Sequence, residues 1–503
     1  MRNGTLLGSI GLCACLLCAC SNGSGSVADP PTSSFAFVSR QAVSVSDCPT
    51  VTGQSPNWCN TYWPPALHGT VYLYTFTETR LVPSTYPTLT RTAYVYKPVT
   101  TLPLVGRYPM LVYLHGGTQT ADQMFSLLQF AQLADGRSTQ QPLFWAENTA
   151  ICQYAAKGAA AFGLGGTSST GFVNSSGQEC GATLAQYSRP TSAGPFYVVY
   201  PNGIPDFDGG GNSWEDGRTP SPGQYDAPDP NQPKRDDVGF IDALIAEVKS
   251  RETAVDAGRV YVAGMSNGGV MTHRLLCNLD NASYPELGQV AAFAVLVSSM
   301  ANNLYTGANG MEQCPRAGST IAPLAIFVGY GTPTPDSNGQ RFYANCNPYN
   351  PGDPRYPNLP ACPYAPVSGD DTMPYGTALD TRGGVFTINS PSLGDVISSP
   401  DDQVFWRQYL TASGAGAAIE TDTNLGYFTH IRHYDFADSP AALQVYQVDH
   451  GLHQNGGTRF DYSLTGRVYD FLFEFARRNG AITTTGGVYD SATGTYDNLS
   501  GIY

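Results

Sequence analysis

The sequence predicts an α/β fold with a mostly parallel sheet and helices on both of its faces. Two patterns support this prediction. Short runs rich in β-branched and aromatic residues recur along the chain, and apolar segments with helical spacing lie between them, as expected of βαβ units. Apolar residues make up 42% of the 503 positions, enough for a large core, so wholesale disorder is excluded. The 55 glycines and 37 prolines predict many loops as well.

The predicted elements follow one another from residue 94 onwards. Asp237 precedes an apolar pattern of helical spacing over residues 240–248 and is the expected N-cap of that helix. Later helices are expected at residues 271–277 and 468–476. Strands are predicted at residues 94–97, 108–114, 196–200, 259–264, 290–297, 324–328 and 443–448.

The amino terminus predicts export. Residues 1–20 combine Arg2, an apolar run and small residues, as signal peptides do. Leu17 to Cys20 resembles a bacterial lipobox, in which the last cysteine is lipidated, so Cys20 is the expected lipidation site. We therefore expect a bacterial cell-surface or periplasmic lipoprotein, with an ordinary secreted protein as the alternative. A lipid anchor would be the only contact with a membrane.

Charge and composition limit the partners. The net charge is −14, and charged residues make up 13% of the chain, against roughly 25% in an average protein. A nucleic-acid partner is not expected, because such proteins cluster Lys and Arg on one face. The sequence predicts no oligomeric state.

The cysteines predict disulfide bonds. Four of the 12 cysteines lie in the leader, and an even number remains for an oxidising compartment. Pairs of sequence neighbours close the shortest loops, although other connectivities stay open. No Cys-x-x-Cys or His partner at ligand spacing suggests a metal site. The disulfide candidates are Cys48 with Cys59, Cys152 with Cys180, Cys277 with Cys314, and Cys346 with Cys362.

The strongest chemical signal is the pattern G-x-S-x-G over Gly264–Gly268. A predicted strand precedes it and a predicted helix follows it, as in the nucleophile elbow of serine hydrolases. Ser266 is therefore the expected nucleophile. The backbone N–H of Asn267, at the helix N-terminus, is expected to stabilise a developing oxyanion. A plain glycine-rich turn is the alternative.

Further site residues follow from the same geometry. An oxyanion hole needs a second donor, and the glycines after strand 108–114 offer it, with Gly117 as our choice. A serine nucleophile needs an imidazole base, and His450 and His453 follow strand 443–448 at the carboxyl edge of the sheet. Trp214 is a candidate substrate contact, with a packing role as the alternative.

Several segments together resemble the polyhydroxybutyrate depolymerase and feruloyl esterase branch of the α/β-hydrolases. The resemblance runs from about Arg91 to about Arg478. It implies an α/β-hydrolase fold and hydrolysis of carboxylic esters by a Ser–His–Asp triad. The segments that carry it are Pro109–Ala121, Tyr200–Gly203, Ser213–Gly217, Asp236–Phe240 and Arg259–Gly269.

The resemblance also assigns the base and the acid of the triad. It places His453 at the catalytic position and His450 at a position that is glycine in the family. The family acid stands four residues before a Pro-Tyr pair, which selects Asp370. Asp371, one residue later, and Asp336, nearest in sequence to strand 324–328, stay as alternatives.

This chain departs from the family pattern in three places. An insertion containing Cys346 and Cys362 precedes the acid. His450 and Leu452 replace glycines of the family, and the usual Trp-Pro after the catalytic histidine is missing, since Gln454 follows His453. The triad chemistry does not depend on these positions, whereas the acyl pocket does.

The predicted organisation has four parts. Residues 1–20 form the lipoprotein-type signal peptide, 21–65 a tether and N-terminal extension, 66–480 the catalytic domain, and 481–503 a C-terminal tail. Long insertions stapled by disulfides are expected at about 136–195 and 333–369.

The predicted function is that of a serine hydrolase acting on carboxylic ester bonds (EC 3.1.1) through an acyl-enzyme, without a cofactor. The substrate is an ester or an oligoester of the polyhydroxybutyrate type. A feruloyl or aryl esterase is the first alternative, a peptidase shares the triad chemistry, and a non-catalytic binding lipoprotein on a hydrolase fold is the alternative of another class.

Overall fold

The computed structural model describes the central sheet and most of the elements around it. Statements below concern these residues. The signal peptide with Cys20, and the candidates Cys48, Cys59, Cys152, Cys180, Cys346 and Cys362, lie outside them. The described residues are 33–44, 67–80, 88–99, 108–117, 119–142, 184–189, 194–205, 212–218, 235–307, 314, 322–330, 387–390, 394–397, 399–424, 429–449, 464–484, 487–490 and 495–498.

The strands are numbered in chain order. The first twelve are β1 (Ser33–Val43), β2 (Thr70–Arg80), β3 (Thr88–Lys97), β4 (Tyr108–Leu114), β5 (Thr139–Pro142), β6 (Leu184–Tyr187), β7 (Tyr197–Pro201), β8 (Ile204–Pro205), β9 (Asn212–Ser213), β10 (Val255–Met265), β11 (Val290–Leu296) and β12 (Leu324–Tyr330). The others are β13 (Thr387–Ser390), β14 (Gly394–Ile397), β15 (Ala418–Asn424), β16 (Thr429–Phe436), β17 (Ser439–Asp449), β18 (Phe475–Arg478), β19 (Ala481–Thr484), β20 (Gly487–Asp490) and β21 (Thr495–Asn498).

The helices lie between these strands. They are α1 (Gln123–Leu127), α2 (Phe130–Ala134), α3 (Asp237–Arg251), α4 (Asn267–Cys277), α5 (Asn302–Thr306), α6 (Ser399–Leu410) and α7 (Leu464–Phe473). A 3-10 turn covers Leu287–Gln289, and a π turn at Thr411–Ala415 extends α6.

Eleven strands form one sheet in the order β1-β2-β3-β7-β4-β10-β11-β12-β17-β16-β15. The six strands from β7 to β17 run parallel, and antiparallel strands complete the sheet at both edges. All seven residues of β4 and of β11 are buried, as expected of parallel strands covered on both faces.

Alternate residues of the central strands pack into two hydrophobic cores. Met110 and Val262 belong to the core that contains residues of α3, α4 and α6. Leu111 and Ala263 belong to the core on the other face, which contains residues of α1, α2 and α7. The predicted mostly parallel sheet with helices on both faces is thus confirmed.

The start of α3 corrects one prediction. Asp236, rather than Asp237, is the N-cap, since its Oδ1 accepts the N–H of Gly239 at 2.8 Å. Asp237 is the first helical residue, and its buried carboxylate binds Arg91 and the N–H of Glu215. Burial opposes the charge of Asp237, but the guanidinium groups of Arg91 and Arg235 lower its pKa. A carboxylate held in this way cannot also cap the helix.

The end of the last helix corrects a second prediction. α7 ends at Phe473 rather than at residue 476, and β18 and β19 follow as an antiparallel hairpin. Its two loop residues, Asn479 and Gly480, have φ values of 51° and 80°. An Asn-Gly pair favours such a turn, so the sequence itself carries a signal for this hairpin.

The first strand lies before residue 66, the predicted start of the catalytic domain. β1 pairs with β2 at the edge of the main sheet, so the sheet begins at Ser33 rather than after residue 65. Phe35 and Phe37 hold this strand, because they pack against Phe240 of α3 and Phe76 of β2. The C-terminal residues 481–484 likewise pair with β18.

Two further predictions concern the disulfide bonds with their insertions and the absence of a membrane-spanning helix. A disulfide joins Cys277 and Cys314, which confirms one of the neighbour pairs. At the ends of the predicted 136–195 insertion, β5 and β6 form an antiparallel stem, while the 333–369 insertion lies outside the residues that the structure describes. Among the described helices, none is long and apolar enough to cross a bilayer.

Candidate active site

Ser266 occupies a sharp turn between β10 and α4. Its φ and ψ are 53° and −121°, a backbone conformation that costs energy for any residue with a Cβ. The Ser266 N–H donates to the carbonyl of Leu296 at 3.0 Å, and its carbonyl accepts from Val270 at 2.9 Å. The strained serine is therefore held by the neighbouring strand and by its own helix, as a nucleophile elbow requires.

Two glycines of the pattern make this turn possible. A Cβ on Gly264 would lie 2.2 Å from the carbonyl oxygen of Gly268. A Cβ on Gly268 would lie 2.4 Å from the carbonyl oxygens of both Leu114 and His115. Side chains at these positions would push α4 away from β10 and β4, so the glycines are sterically required.

The loop after β4 lies directly beside the nucleophile. A Cβ on Gly116 would be 3.4 Å from Cβ of Ser266. The Gly116 N–H already donates to Oε1 of Gln119 at 2.9 Å, whereas within the described part of the chain no hydrogen bond engages the N–H of Gly117. Asn267 is the first residue of α4, so its N–H has no acceptor within the helix. Gly117 and Asn267 are thus available as the two predicted donors.

His115 lies in the same loop but is structural. It is fully buried; its Nε2 accepts the Gly203 N–H at 2.9 Å, and its Nδ1 lies 2.7 Å from the Gly116 carbonyl. Burial lowers the pKa of His115 to about 4, and these partners assign the proton to Nδ1. A neutral imidazole with both nitrogens engaged does not serve as the base for Ser266.

Trp214, a candidate substrate contact, is only 3% exposed. Its indole packs against the ring of His115 at a tilt of 39°, with ring centroids 4.9 Å apart, and its Nε1–H donates to the His115 carbonyl at 2.9 Å. This position favours the packing role that was the alternative. Gln119 and the side chain of Asn267 are additional site residues that the sequence did not reveal. The partners of the Asn267 side chain, Trp214 and Asp216, are distant in the chain.

In the chain, the proposed acid follows β12 and the proposed base follows β17. β12 and β17 are parallel neighbours in register up to Tyr330 and Asp449, and β12 pairs in parallel with β11 beside the nucleophile strand. The chain therefore continues beyond residue 330 and beyond residue 449 from the carboxyl edge. The side chains themselves, His450, His453, Asp336, Asp370 and Asp371, lie outside the described residues.

Three other histidines have partners of their own. His433 lies on β16, with its Nε2 2.7 Å from Asp435 Oδ1. His273 of α4 is buried, with its Nε2 3.2 Å from Oδ2 of Asp402. His68 pairs with Asp135. Across the described ranges, no group of three His, Cys, Asp or Glu side chains is arranged to hold a metal ion.

The sheet, the elbow and the glycine loop together have the arrangement of an α/β-hydrolase fold. No family model and no curated protein matches this chain. Solved structures do match. A thermostable esterase is 18% identical, with 51% of this chain and 46% of that chain covered and a TM-score of 0.23. This chain thus spans less than half of that esterase.

Two other matches are a polyhydroxybutyrate depolymerase and a ferulic acid esterase, the two kinds of protein that the sequence segments resemble. The poly(3-hydroxybutyrate) depolymerase LpqC from Bordetella parapertussis is 16% identical, with 59% of this chain and 70% of that chain covered and a TM-score of 0.24. A ferulic acid esterase is 13% identical, with 48% and 64% covered and a TM-score of 0.22. Likeness at this level carries no conclusion about activity or substrate.

Proposed function

We propose that this protein is a serine hydrolase of carboxylic esters. The observation that carries the proposal is the strained backbone of Ser266, with Gly116 against its Cβ. Backbone strain in a non-glycine residue persists where the surrounding structure imposes it, and such positions cluster at active sites. Ser266 directly precedes Asn267 at the start of α4, and the loop of Gly116 and Gly117 lies beside it, which supports the backbone N–H groups of Gly117 and Asn267 as donors to an oxyanion.

The proposed reaction has two halves. Ser266 Oγ attacks the ester carbonyl while His453 takes its proton, and the oxyanion accepts hydrogen bonds from Gly117 and Asn267. The carbon–oxygen bond to the alcohol then breaks, His453 returns the proton to the leaving alcohol, and an acyl-enzyme remains. Water, deprotonated by His453, releases the acid and restores the serine. Asp370 orients the imidazole and stabilises its charged form.

The substrate and the location belong to the same proposal. Short polyesters of the hydroxybutyrate type, or feruloyl and other aryl esters, fit the family resemblance of the sequence segments. The proposal includes export with Cys20 carrying a lipid, which the pattern of residues 1–20 supports.

A panel of esters tests the function. We expect purified protein to hydrolyse at least one of p-nitrophenyl, feruloyl and hydroxybutyrate-oligomer esters, and Ser266→Ala to lose this activity while it stays folded. A wild-type protein that is inactive on the whole panel but cleaves peptides would support the peptidase alternative. A folded protein that binds such esters without turnover would support the binding lipoprotein.

A further inference from the structure

The segment Ser213–Gly217 connects the two loops that supply the oxyanion donors. Trp214 contacts both of them. Its indole N–H donates to the carbonyl of His115, in the loop that leads to Gly117, at 2.9 Å. Its backbone N–H donates to Oδ1 of Asn267 at 2.7 Å, and its carbonyl accepts from Nδ2 of Asn267 at 3.2 Å. One buried residue therefore holds both loops at a fixed separation.

Asp216 completes the environment of the Asn267 side chain. Its buried carboxylate accepts the second Nδ2 hydrogen of Asn267 at 2.6 Å. Arg218 pairs with the same carboxylate, with Nε and Nη2 at 2.8 and 2.6 Å from Oδ2. The Asn267 amide thus uses Oδ1 and both Nδ2 hydrogens, which fixes its orientation. This side chain cannot bind substrate, so Asn267 contributes through its backbone N–H.

The segment is anchored on its outer side by contacts that do not involve the active site. The Glu215 N–H donates to Oδ2 of Asp237 at 2.6 Å, and Arg235 donates to Oγ of Ser213 at 3.0 Å. Asn303 of α5 donates to the carbonyl of Gly217 at 2.8 Å. Because these partners come from α3, α5 and Arg235, two residues before α3, the segment is a rigid support for the donors.

We propose that Trp214 and Asp216 are positioning residues that set the geometry of the oxyanion hole. The proposal rests on the serine hydrolase function above. The donors act on charge that develops in the transition state, and loss of one donor typically costs about 10²–10³ in kcat. Displacing both donors is expected to cost about 10- to 100-fold in kcat with little change in KM, because ground-state binding does not depend on them.

The test compares three variants at these two positions. Trp214→Phe keeps the ring against His115 but removes the indole donor, and Asp216→Ala removes the acceptor of Asn267. Asp216→Asn retains an acceptor oxygen and should recover most of the activity lost in Asp216→Ala. The readouts are kcat and KM on a p-nitrophenyl ester and the inhibition constant of a trifluoromethyl ketone, whose adduct carries an oxyanion.

A matched control separates positioning from general destabilisation. Asp242→Ala removes a largely buried carboxylate that accepts the N–H groups of Glu286 and Leu287, in the second turn of α3. It should lower stability without changing kcat. In Trp214→Phe and Asp216→Ala, we expect kcat to fall and the inhibition constant to rise by similar factors. If Trp214→Phe does not fold, the comparison of Asp216→Ala with Asp216→Asn tests the proposal.

The outcomes are distinguishable from failure of the proposed function. Wild-type activity that depends on Ser266, with unchanged kcat and inhibitor binding in the positioning variants, would overturn this inference alone. The inference would also be overturned if Asp242→Ala and Asp216→Ala lose activity in the same proportion to their loss of thermal stability. A wild-type protein without Ser266-dependent esterase activity would instead refute the function on which the inference rests.

Discussion

The backbone N–H of Gly203 donates a hydrogen bond of 2.9 Å to Nε2 of His115. The buried imidazole of His115 is therefore a hydrogen-bond acceptor at the base of the glycine loop. Protonation of Nε2 would break this bond and place a charge in the core. The pKa of His115 is lowered to about 4, first by desolvation, from an ordinary value of about 6.5.

This difference predicts a pH dependence of folding stability. Between about pH 6.5 and pH 4 the unfolded chain binds a proton that the folded protein excludes, so stability is fully present above pH 6.5 and falls as pH drops towards 4. The expected loss is roughly 3 kcal/mol. Urea unfolding at pH 7 and at pH 4.5 measures it. His115→Gln, which has no titrating ring, should show a smaller difference, and an equal difference would contradict the assignment.

The disulfide between Cys277 and Cys314 should contribute to stability. It joins the end of α4 to the segment after α5 across a sequence separation of 37 residues. A cross-link of this span stabilises by about 3–4 kcal/mol, chiefly by restricting the unfolded chain. We expect the double variant Cys277→Ser/Cys314→Ser to show a lower free energy of unfolding by about this amount in denaturant titrations. Equal unfolding curves for wild type and variant would rule out this contribution.

The local parts of the site could be predicted from sequence, and the long-range parts could not. Ser266 and Gly117 lie in patterns of a few residues that follow predicted strands, and the structure brings their loops together. The contacts of Trp214 with His115 and Asn267 span 99 and 53 residues. Periodicity and spacing carry no information on hydrogen bonds between such distant positions.

Two errors in the predicted fold, the N-cap of α3 and the start of the main sheet, have similar origins. Asp236 and Asp237 are equally good capping residues in sequence, and the buried Arg91, which binds Asp237, decides between them. β1 follows a segment rich in Ser, Gly and Asn, and its place is set by packing of Phe35 on α3, which the sequence pattern does not encode.

The triad base is tested by two neighbouring histidines. His453→Ala should abolish turnover, whereas His450→Ala should retain a measurable part of it. Only a neutral imidazole accepts the serine proton, so wild-type kcat/KM should fall as pH drops through about 6.5. Steady-state rates between pH 5 and 8 check both expectations. A flat profile into strongly acidic pH would be incompatible with a histidine base, and an inactive His450→Ala beside an active His453→Ala would reverse the assignment.

The triad acid has three candidates that single substitutions separate. Replacing a triad aspartate by asparagine costs about 10⁴ in turnover with the geometry retained, because the imidazole loses its orienting charge. We expect Asp370→Asn to approach this loss, and Asp371→Asn and Asp336→Asn to stay within roughly tenfold of wild type. Turnover on the best ester of the panel decides. If Asp336→Asn is the inactive variant, the acid follows strand β12 directly and the family alignment at Asp370 is wrong.

The most direct test of the central claim is covalent labelling of Ser266. A fluorophosphonate should modify wild-type protein at this serine, with the modified peptide identified by mass spectrometry. Ser299→Ala, which removes a buried serine beyond the neighbouring strand β11, should leave labelling intact. Ser266→Ala should abolish it while circular dichroism shows a folded protein. Labelling that persists in Ser266→Ala, or wild-type protein that resists the probe, would contradict a nucleophile at the turn between β10 and α4.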